Sequence, residues 1–142
     1  MTQVTALSPE ITAALHAANQ ASAFCQWSGM QITQSSVGNI ELQAHWRPEF
    51  GQFMGFMHAG IVAALIDTAC GYAAASLAGR VLASHVSINC LRPAVGELFI
   101  ARARVVKPGK QQIYTAGELF AVSKGEEKLV ATGETLLVPV TT

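Results

Sequence analysis

The stretch MHAGIVAALIDTACGYAAASLAG, from Met57 to Gly79, determines the fold that we predict for this chain. Nearly all of it is small and apolar, yet its centre holds Asp67, the only aspartate among the 142 residues. Its length suits a membrane span, but a charge at the bilayer centre costs about 2.5–3.5 kcal/mol even on lenient insertion scales. Bulky Leu, Ile and Phe are also sparse. The stretch therefore predicts a long helix buried inside a soluble domain.

The segments around this helix have the patterns of one short helix and six strands. Ser8 followed by Pro9 is typical of a helix start, and that helix should run to about Ala21. Turn-forming residues separate the segments with strand patterns, which are 27–33, 39–46, 85–90, 99–106, 111–122 and 128–138. Residues 34–38 look like a hairpin turn. Short connections favour antiparallel neighbours, so we predict an α+β domain whose curved antiparallel sheet covers the long central helix.

Composition predicts the number of domains and limits the possible partners of the chain. At 142 residues one domain is expected, with its core at about residues 25–140. The chain is 51% hydrophobic and only 13% charged, so we expect part of its surface to lie against other subunits. Nine basic residues balance nine acidic ones, which argues against nucleic-acid binding.

The three cysteines are widely scattered, which fits reduced thiols. No secretory signal is visible, so a cytoplasmic location is expected. The four histidines lack zinc-like spacing, so no metal or other cofactor is predicted.

Two faces of the central helix differ in character. The face that should pack on the sheet comprises Val62, Leu65, Ile66, Ala69, Tyr72 and Ala73. The other face consists of small residues and one acid, namely Gly60, Ala64, Asp67, Gly71, Ala74 and Ala78. Small side chains allow a second backbone or a ligand to come close, and the acid would face it.

Asp67 has two interpretations. It is either structural, hydrogen-bonded to a backbone group or exposed at a helix edge, or functional, because perturbed acids mark active sites. The loop before the helix favours function, since free N–H groups at Ala59 can stabilise an oxyanion. The two residues lie eight positions apart, about 12 Å along the axis, whereas both must lie within about 3 Å of one reacting centre. We therefore predict a homodimer, alone or as half of a tetramer, in which each site combines Asp67 of one chain with the Ala59 amide of the other.

A known signature is visible in the same stretch. His58, Ala59 and Gly60, six further residues and Asp67 resemble the His-Gly-Gly-x6-Asp/Glu signature of hotdog-fold acyl-CoA thioesterases. The resemblance is closest to the phenylacetate-degradation (PaaI-like) branch, which is related to 4-hydroxybenzoyl-CoA thioesterases. Residues 91–94 and 105–110 are similar to later strands and a turn of that branch, and the similarity runs over residues 38–138. It implies a hotdog fold with sites between subunits.

The resemblance implies roles for five residues. Asp67 would act on the thioester as nucleophile or general base, and the Ala59 amide, at the helix start formed with His58 and Gly60, would bind the thioester oxygen. Gln52, six residues before His58, would position the substrate or the water. Ala59 replaces the first glycine of the signature, which preserves the N–H donor only if its φ is negative. His58 has a second interpretation, as a cap that steers the loop into the helix.

Substrate contacts are expected elsewhere in the chain. Arg92, Lys107 and Lys110, with Gly109 in the turn between the lysines, would meet the phosphates of coenzyme A or else remain solvated. Phe53 and its apolar loop neighbours would line an acyl pocket or pack in the core or against a subunit.

Many members of the PaaI-like branch that this chain resembles carry Ser or Thr on the strand near Ala83. Ser84 and Ser87 are the nearest hydroxyls here, and only one strand face can serve.

The leading hypothesis is hydrolysis of an acyl- or aryl-CoA thioester, with coenzyme A as part of the substrate rather than a cofactor. A first alternative is an acyl-thioester dehydratase on the same fold, with His58 and Asp67 acting across the interface. A second is an acyl-CoA-binding module without turnover. The sequence leaves open the acyl group and the choice between dimer and tetramer.

Overall fold

The computed structural model describes residues 3–141 as helices packed on one sheet. In chain order the elements are α1 (Pro9–Ala21), α2 (Ala23–Ser28), β1 (Gln31–Ser36), β2 (Asn39–His45), a 3-10 turn (Pro48–Phe50), α3 (Ala59–Ala78), β3 (Val81–Cys90), β4 (Leu98–Lys107), β5 (Ile113–Ser123) and β6 (Glu126–Pro139).

The six strands form one antiparallel sheet in the order β1-β2-β4-β5-β6-β3. β4, β5 and β6 follow one another as hairpins, whereas β3 precedes them in the chain and lies at the sheet edge beside β6. The long helix α3 packs on this sheet, and the short helix α1 packs on α3. This is the predicted hotdog architecture.

More of the surface of helix α3 is buried than its hydrophobic pattern predicted. Five of the six residues predicted to face the sheet are buried, but Tyr72 is only half-buried. Ala74, which we placed on the small-residue face, is fully buried. The reason is that α3 contacts every strand from β2 to β6 rather than a single flat surface. By length and mean hydropathy α3 is also the one helix among residues 3–141 that could cross a membrane.

Two glycines of the sheet face α3 next to Asp67. Gly117 of β5 pairs with Gly133 of β6, and a Cβ on either glycine would come within 3.0 Å of the Ile66 side chain. Two glycines therefore let α3 settle onto the sheet at Ile66. This contact fixes the distance between the next residue, Asp67, and the strands of the sheet.

We expect Gly133→Ala to lower the free energy of unfolding by about 1–3 kcal/mol, because overpacking forces the core to shift. The added Cβ would lie 2.6 Å from Ile88 and 2.9 Å from the Ser87 carbonyl oxygen, which cannot rotate away. Gly117→Ala should cost less, since its nearest neighbours are the side-chain ends of Ile66 and Cys70. Denaturant unfolding of both variants tests the ranking, and an equal or reversed order would contradict it.

In the N-terminal half, the predicted start of α1 is confirmed and the predicted first strand needs correction. α1 begins at the predicted Ser8 cap, whose hydroxyl accepts from the Ile11 N–H. Residues 27–33 were predicted as strand, but 27 and 28 belong to α2 and the strand begins at Gln31. The overlooked signals are the Ser22 cap of α2 and Gly29, which ends it in the left-handed conformation at φ 72°.

The other boundaries shift by smaller amounts. β1 runs to Ser36, so the hairpin turn is shorter than predicted and centres on Gly38 at φ 73°. The strand predicted from residue 85 already begins at Val81. Propensity alone did not reveal this extension, because pairing with β6 orders the additional residues.

Candidate active site

The start of α3 leaves one backbone donor free. His58 is the N-cap, and its Nδ1 accepts from the Gly60 N–H at 2.8 Å. The His58 carbonyl oxygen accepts from Ile61 and Val62, at 2.9 and 3.1 Å. The Ala59 N–H has no acceptor within residues 3–141. Because the neighbouring donors are satisfied, the positive end of the helix dipole is presented through this single N–H.

Alanine at position 59 is compatible with this role. Lys124 is the only non-glycine residue of the described range 3–141 with positive φ, so φ at Ala59 is negative. An alanine adopts such a backbone without strain. The condition under which Ala keeps the donor of the signature's glycine is therefore met.

Gln52 shapes the loop that precedes the helix. Its side-chain Oε1 accepts from the N–H groups of Met54 and Phe56, at 2.6 and 3.2 Å. These bonds hold a tight turn whose tip carries Phe53 with 92% of its surface exposed. Because the oxygen takes both bonds, the amide N–H₂ of Gln52 is left as a donor, with no acceptor in the part of the chain that the structure describes.

A cavity of about 720 Å³, here named the amide cavity, opens beside this helix start. The loop with Gln52 and Phe53 forms one wall, Ala59 and Val62 form the floor, and residues 90–94 form the opposite wall. The lining is mostly apolar, and Arg92 supplies its one positive side chain. An apolar cleft with few directed polar groups has the character of a small-molecule site.

Asp67 lines a second cavity, here named the carboxylate cavity, of about 780 Å³ between α1, α3 and the start of β3. Its carboxylate is half-buried and makes no hydrogen bond or ion pair within residues 3–141. Burial raises the pKa of Asp67. Of the two structural interpretations, the one with a backbone hydrogen bond finds no partner within residues 3–141, and the one with an exposed acid does not match a half-buried carboxylate.

The rest of the carboxylate cavity is mostly apolar, with Thr68 and Arg80 as further polar residues in its wall, and the sequence did not predict it. Its α1 side is made by Leu15 and four alanines, Ala14, Ala17, Ala18 and Ala21. Opposite stands the Tyr72 ring, whose hydroxyl donates to Asn19 Oδ1 at 3.0 Å and so belongs to a buried network. The spacing of the alanines on one face of α1 was the signal available.

We expect Asp67→Asn to stabilise the protein in a pH-dependent way. With a raised pKa in the folded state, the stability linked to the bound proton is full below the unfolded pKa of about 3.9 and declines as pH rises through the folded pKa. The neutral variant should therefore exceed the wild type by about 1 kcal/mol at pH 7, a typical gain at a functional site, and match it near pH 3. Denaturant unfolding at both pH values measures this difference. A constant offset would show that burial of the charge is not the cause.

Ala59 and Asp67 do not meet within one chain. They line separate cavities with no residue in common. The amide cavity lies beside Cys90 at the end of β3, and the carboxylate cavity lies beside Val81 at its start. The separation follows from their positions on one straight helix.

The predicted coenzyme A contacts lie at opposite ends of the sheet. Arg92 follows β3 near the start of β4, whereas Lys107 ends β4, and ten residues of strand span about 30 Å. The Lys107 Nζ donates to the neighbouring Pro108 carbonyl, and Lys110 is exposed. Gly109 allows a close backbone approach to Gln112. One coenzyme A phosphate group cannot contact Arg92 and this turn of the same chain.

Ser84 lies at an irregularity in the edge strand. The register between β3 and β6 shifts between Ala83 and His85, and the Ser84 hydroxyl donates to the Leu136 carbonyl oxygen at 3.2 Å. β3 has only β6 as a neighbour, and its other edge has no strand partner in the described chain.

Comparisons with known proteins agree with this fold. The family model of the thioesterase superfamily matches residues 54–128. A thioesterase family protein from Silicibacter pomeroyi is 34% identical, with a TM-score of 0.88 over 90% of this chain and 96% of that one. The E. coli PaaI protein from the phenylacetic acid degradation operon is 25% identical, with a TM-score of 0.86 over 96% of this chain and 97% of that one.

A curated relative from Halobacterium salinarum carries an esterase name. It is 36% identical over 89 residues, and the match spans 57% of this chain and 58% of that protein. Together, the family match and the Silicibacter pomeroyi relative show that this chain belongs to the thioesterase superfamily. The matched segment 54–128 contains both Ala59 and Asp67.

Proposed function

We propose that this protein hydrolyses acyl-CoA thioesters at two sites, each shared by two copies of the chain. The observation that carries the proposal is a pair of unused groups on one helix, the free N–H of Ala59 and the carboxylate of Asp67. Each lies in its own mostly apolar cavity, and neither has a hydrogen-bond or ion-pair partner among residues 3–141. A two-fold axis that sets two α3 helices antiparallel brings each amide to the other chain's carboxylate.

The chemistry follows from these two groups. The Ala59 N–H and the helix dipole hold the thioester oxygen and stabilise the negative charge that forms when the carbonyl is attacked. Asp67 either attacks the carbonyl carbon itself or takes a proton from an attacking water. Its raised pKa makes it a stronger base than an exposed aspartate. The carbon–sulfur bond then breaks, and the leaving thiolate takes up a proton. If water attacked, the free acid forms directly. If Asp67 attacked, the acyl group remains on its carboxylate as an anhydride, which water hydrolyses to release the acid and restore Asp67.

The exposed edge of the sheet supports association of two copies. Leu82 and Val86 of β3 are 66% and 40% exposed, although both are apolar. The unpaired edge of β3 lies beside the carboxylate cavity, whose wall includes Val81, Leu82 and Ala83. Edge strands with apolar side chains favour pairing with another chain. The exposed Phe53, at the tip of the loop that precedes α3, would then be covered by the partner copy.

The test is thiol release from a panel of short, medium, long and aromatic acyl-CoA thioesters. Phenylacetyl-CoA belongs in the panel, because the E. coli relative comes from a phenylacetic acid degradation operon. We expect release from at least one class, which would identify the acyl group. No release from any thioester, combined with tight binding, would favour the binding module instead. Hydration of crotonyl-CoA without thiol release would favour the dehydratase.

A further inference from the structure

Three of the nine cationic side chains surround a cavity that the reaction above does not use. Arg92, Lys124 and Lys128 line a space of about 430 Å³ between the loop after β3 and the β5–β6 hairpin. We name it the basic cavity. Glu126 is the one acid in its wall, so three positive charges stand against one negative charge. The chain as a whole has no net charge, which makes this a local concentration.

The basic cavity adjoins the amide cavity. The two share Arg92, Pro93 and Val130 in their walls. An irregularity in the β5–β6 pairing frees the Val130 carbonyl oxygen, which accepts from the backbone N–H groups of Leu91 and Arg92 at 2.8 and 3.4 Å. This bond ties the loop that carries Arg92 to strand β6.

Lys128 belongs to the same side of the sheet. It pairs with Ala121 of β5, which is buried on the side that faces the helix. Paired residues in antiparallel strands point to the same face, so the Lys128 side chain leaves β6 towards the cavities. The Ala59 N–H, Arg92 and Lys128 therefore line two adjoining cavities on one side of the sheet.

The three cations are not engaged elsewhere. None of them makes a side-chain hydrogen bond or an ion pair within residues 3–141. By contrast, Arg47 pairs with Glu49, and Arg102 pairs with two glutamates.

Lys124 is unusual in a second respect. Its φ is 52°, and it precedes Gly125 at φ 77° in the β5–β6 hairpin turn. Such turns favour Asn, Asp or Gly at this position, so backbone preference does not explain a lysine here.

We propose that the basic cavity binds the phosphate groups at the nucleotide end of coenzyme A. The arm that links them to the sulfur lies along the amide cavity, with the thioester at Ala59. This inference rests on the proposed thioesterase function, and it assigns the phosphates to Lys124 and Lys128 together with Arg92 instead of Lys107 and Lys110. A confined cavity suits a small anion, whereas docking an acidic carrier protein would need about 800 Å² of surface on each partner.

The test compares one acyl group on two thiols, coenzyme A and pantetheine, which lacks the nucleotide and its phosphates. In the double variant Lys124→Asn, Lys128→Gln, we expect kcat/KM for the coenzyme A thioester to fall roughly 100-fold, about tenfold for each charge-assisted contact removed. The loss should come through KM, while kcat/KM for the pantetheine thioester stays unchanged. Asn suits the positive φ at position 124, so the turn is preserved. Arg104→Gln, which removes an exposed cation far from this cavity, should alter neither value.

Several outcomes would overturn the inference. They are an equal loss on both thioesters, no loss on the coenzyme A thioester, or a selective loss in Lys107→Gln, Lys110→Gln instead. Preference for an acyl carrier protein thioester that the same double variant abolishes would assign the cavity to a protein partner.

The inference can also be separated from the proposed function. If the wild type hydrolyses neither thioester, the proposed function fails, and calorimetry with free coenzyme A still decides the inference. Tighter binding by wild type than by the double variant would support it, and absent or equal binding would contradict it.

Discussion

Replacing Asp67 by asparagine should reduce kcat for the best acyl-CoA substrate by about 10³-fold, within the range that a positioned base or nucleophile supplies. Asparagine has nearly the same shape but can neither attack the carbonyl nor accept a proton at neutral pH. The half-buried position without a partner means that the substitution breaks no hydrogen bond or ion pair within residues 3–141. The loss would therefore report chemistry rather than unfolding.

The matched control for Asp67→Asn is Glu134→Gln, which removes an exposed carboxylate from β6. It should leave kcat and KM within a factor of about two, as expected for a surface substitution. Size-exclusion chromatography of both variants should give the wild-type oligomeric state. Wild-type kcat in Asp67→Asn would show that another residue performs the attack.

The second large effect is expected from Ala59→Pro. Proline is tolerated at the first position of a helix, where its missing N–H is not needed by the backbone. The preceding residue, His58, already has φ −60° and ψ 137°, which is compatible with a following proline. The substitution therefore removes one hydrogen-bond donor and little else. Loss of a single oxyanion donor costs about 10²–10³-fold in kcat.

Ala59→Gly is the control for this variant, because it alters the side chain and keeps the N–H. It should retain most of the wild-type kcat, while circular dichroism should show the same helix content in both variants. Near-wild-type turnover in Ala59→Pro, with a folded protein, would mean that the amide does not contact the substrate oxygen.

Much of the fold was accessible from the sequence because its elements carry strong local signals. The apolar run around Asp67 and the turn residues between the later strands predicted the central helix and the antiparallel sheet. The segment around Trp27 was wrongly predicted as strand, because an aromatic residue raises strand propensity. The caps at Ser22 and Gly29 impose a helix there instead. The burial of Ala74 depends on how many strands the helix contacts, and periodicity does not carry that information.

The candidate site was predictable in its residues and only partly in its geometry. Their spacing along one helix predicted that Ala59 and Asp67 cannot meet within a single chain. The structure places them in two separate cavities. The basic cavity was not predicted, because Arg92 meets Lys124 and Lys128 only through the strand pairing and the Val130 carbonyl. Lys107 and Lys110 were as plausible by sequence, since a lysine in a turn looks the same at either end of a sheet.

The central claim is that each site takes its amide from one chain and its carboxylate from the other, and mixing two inactive variants tests it most directly. Ala59→Pro and Asp67→Asn subunits are unfolded together in equal amounts and refolded, and thiol release is measured against the wild type. A shared site predicts recovery to about a quarter of wild-type activity, because half of the randomly formed dimers are mixed and each mixed dimer has one intact site. Activity that stays at the level of the separate variants, with mixed dimers confirmed by mass spectrometry, would contradict the shared site.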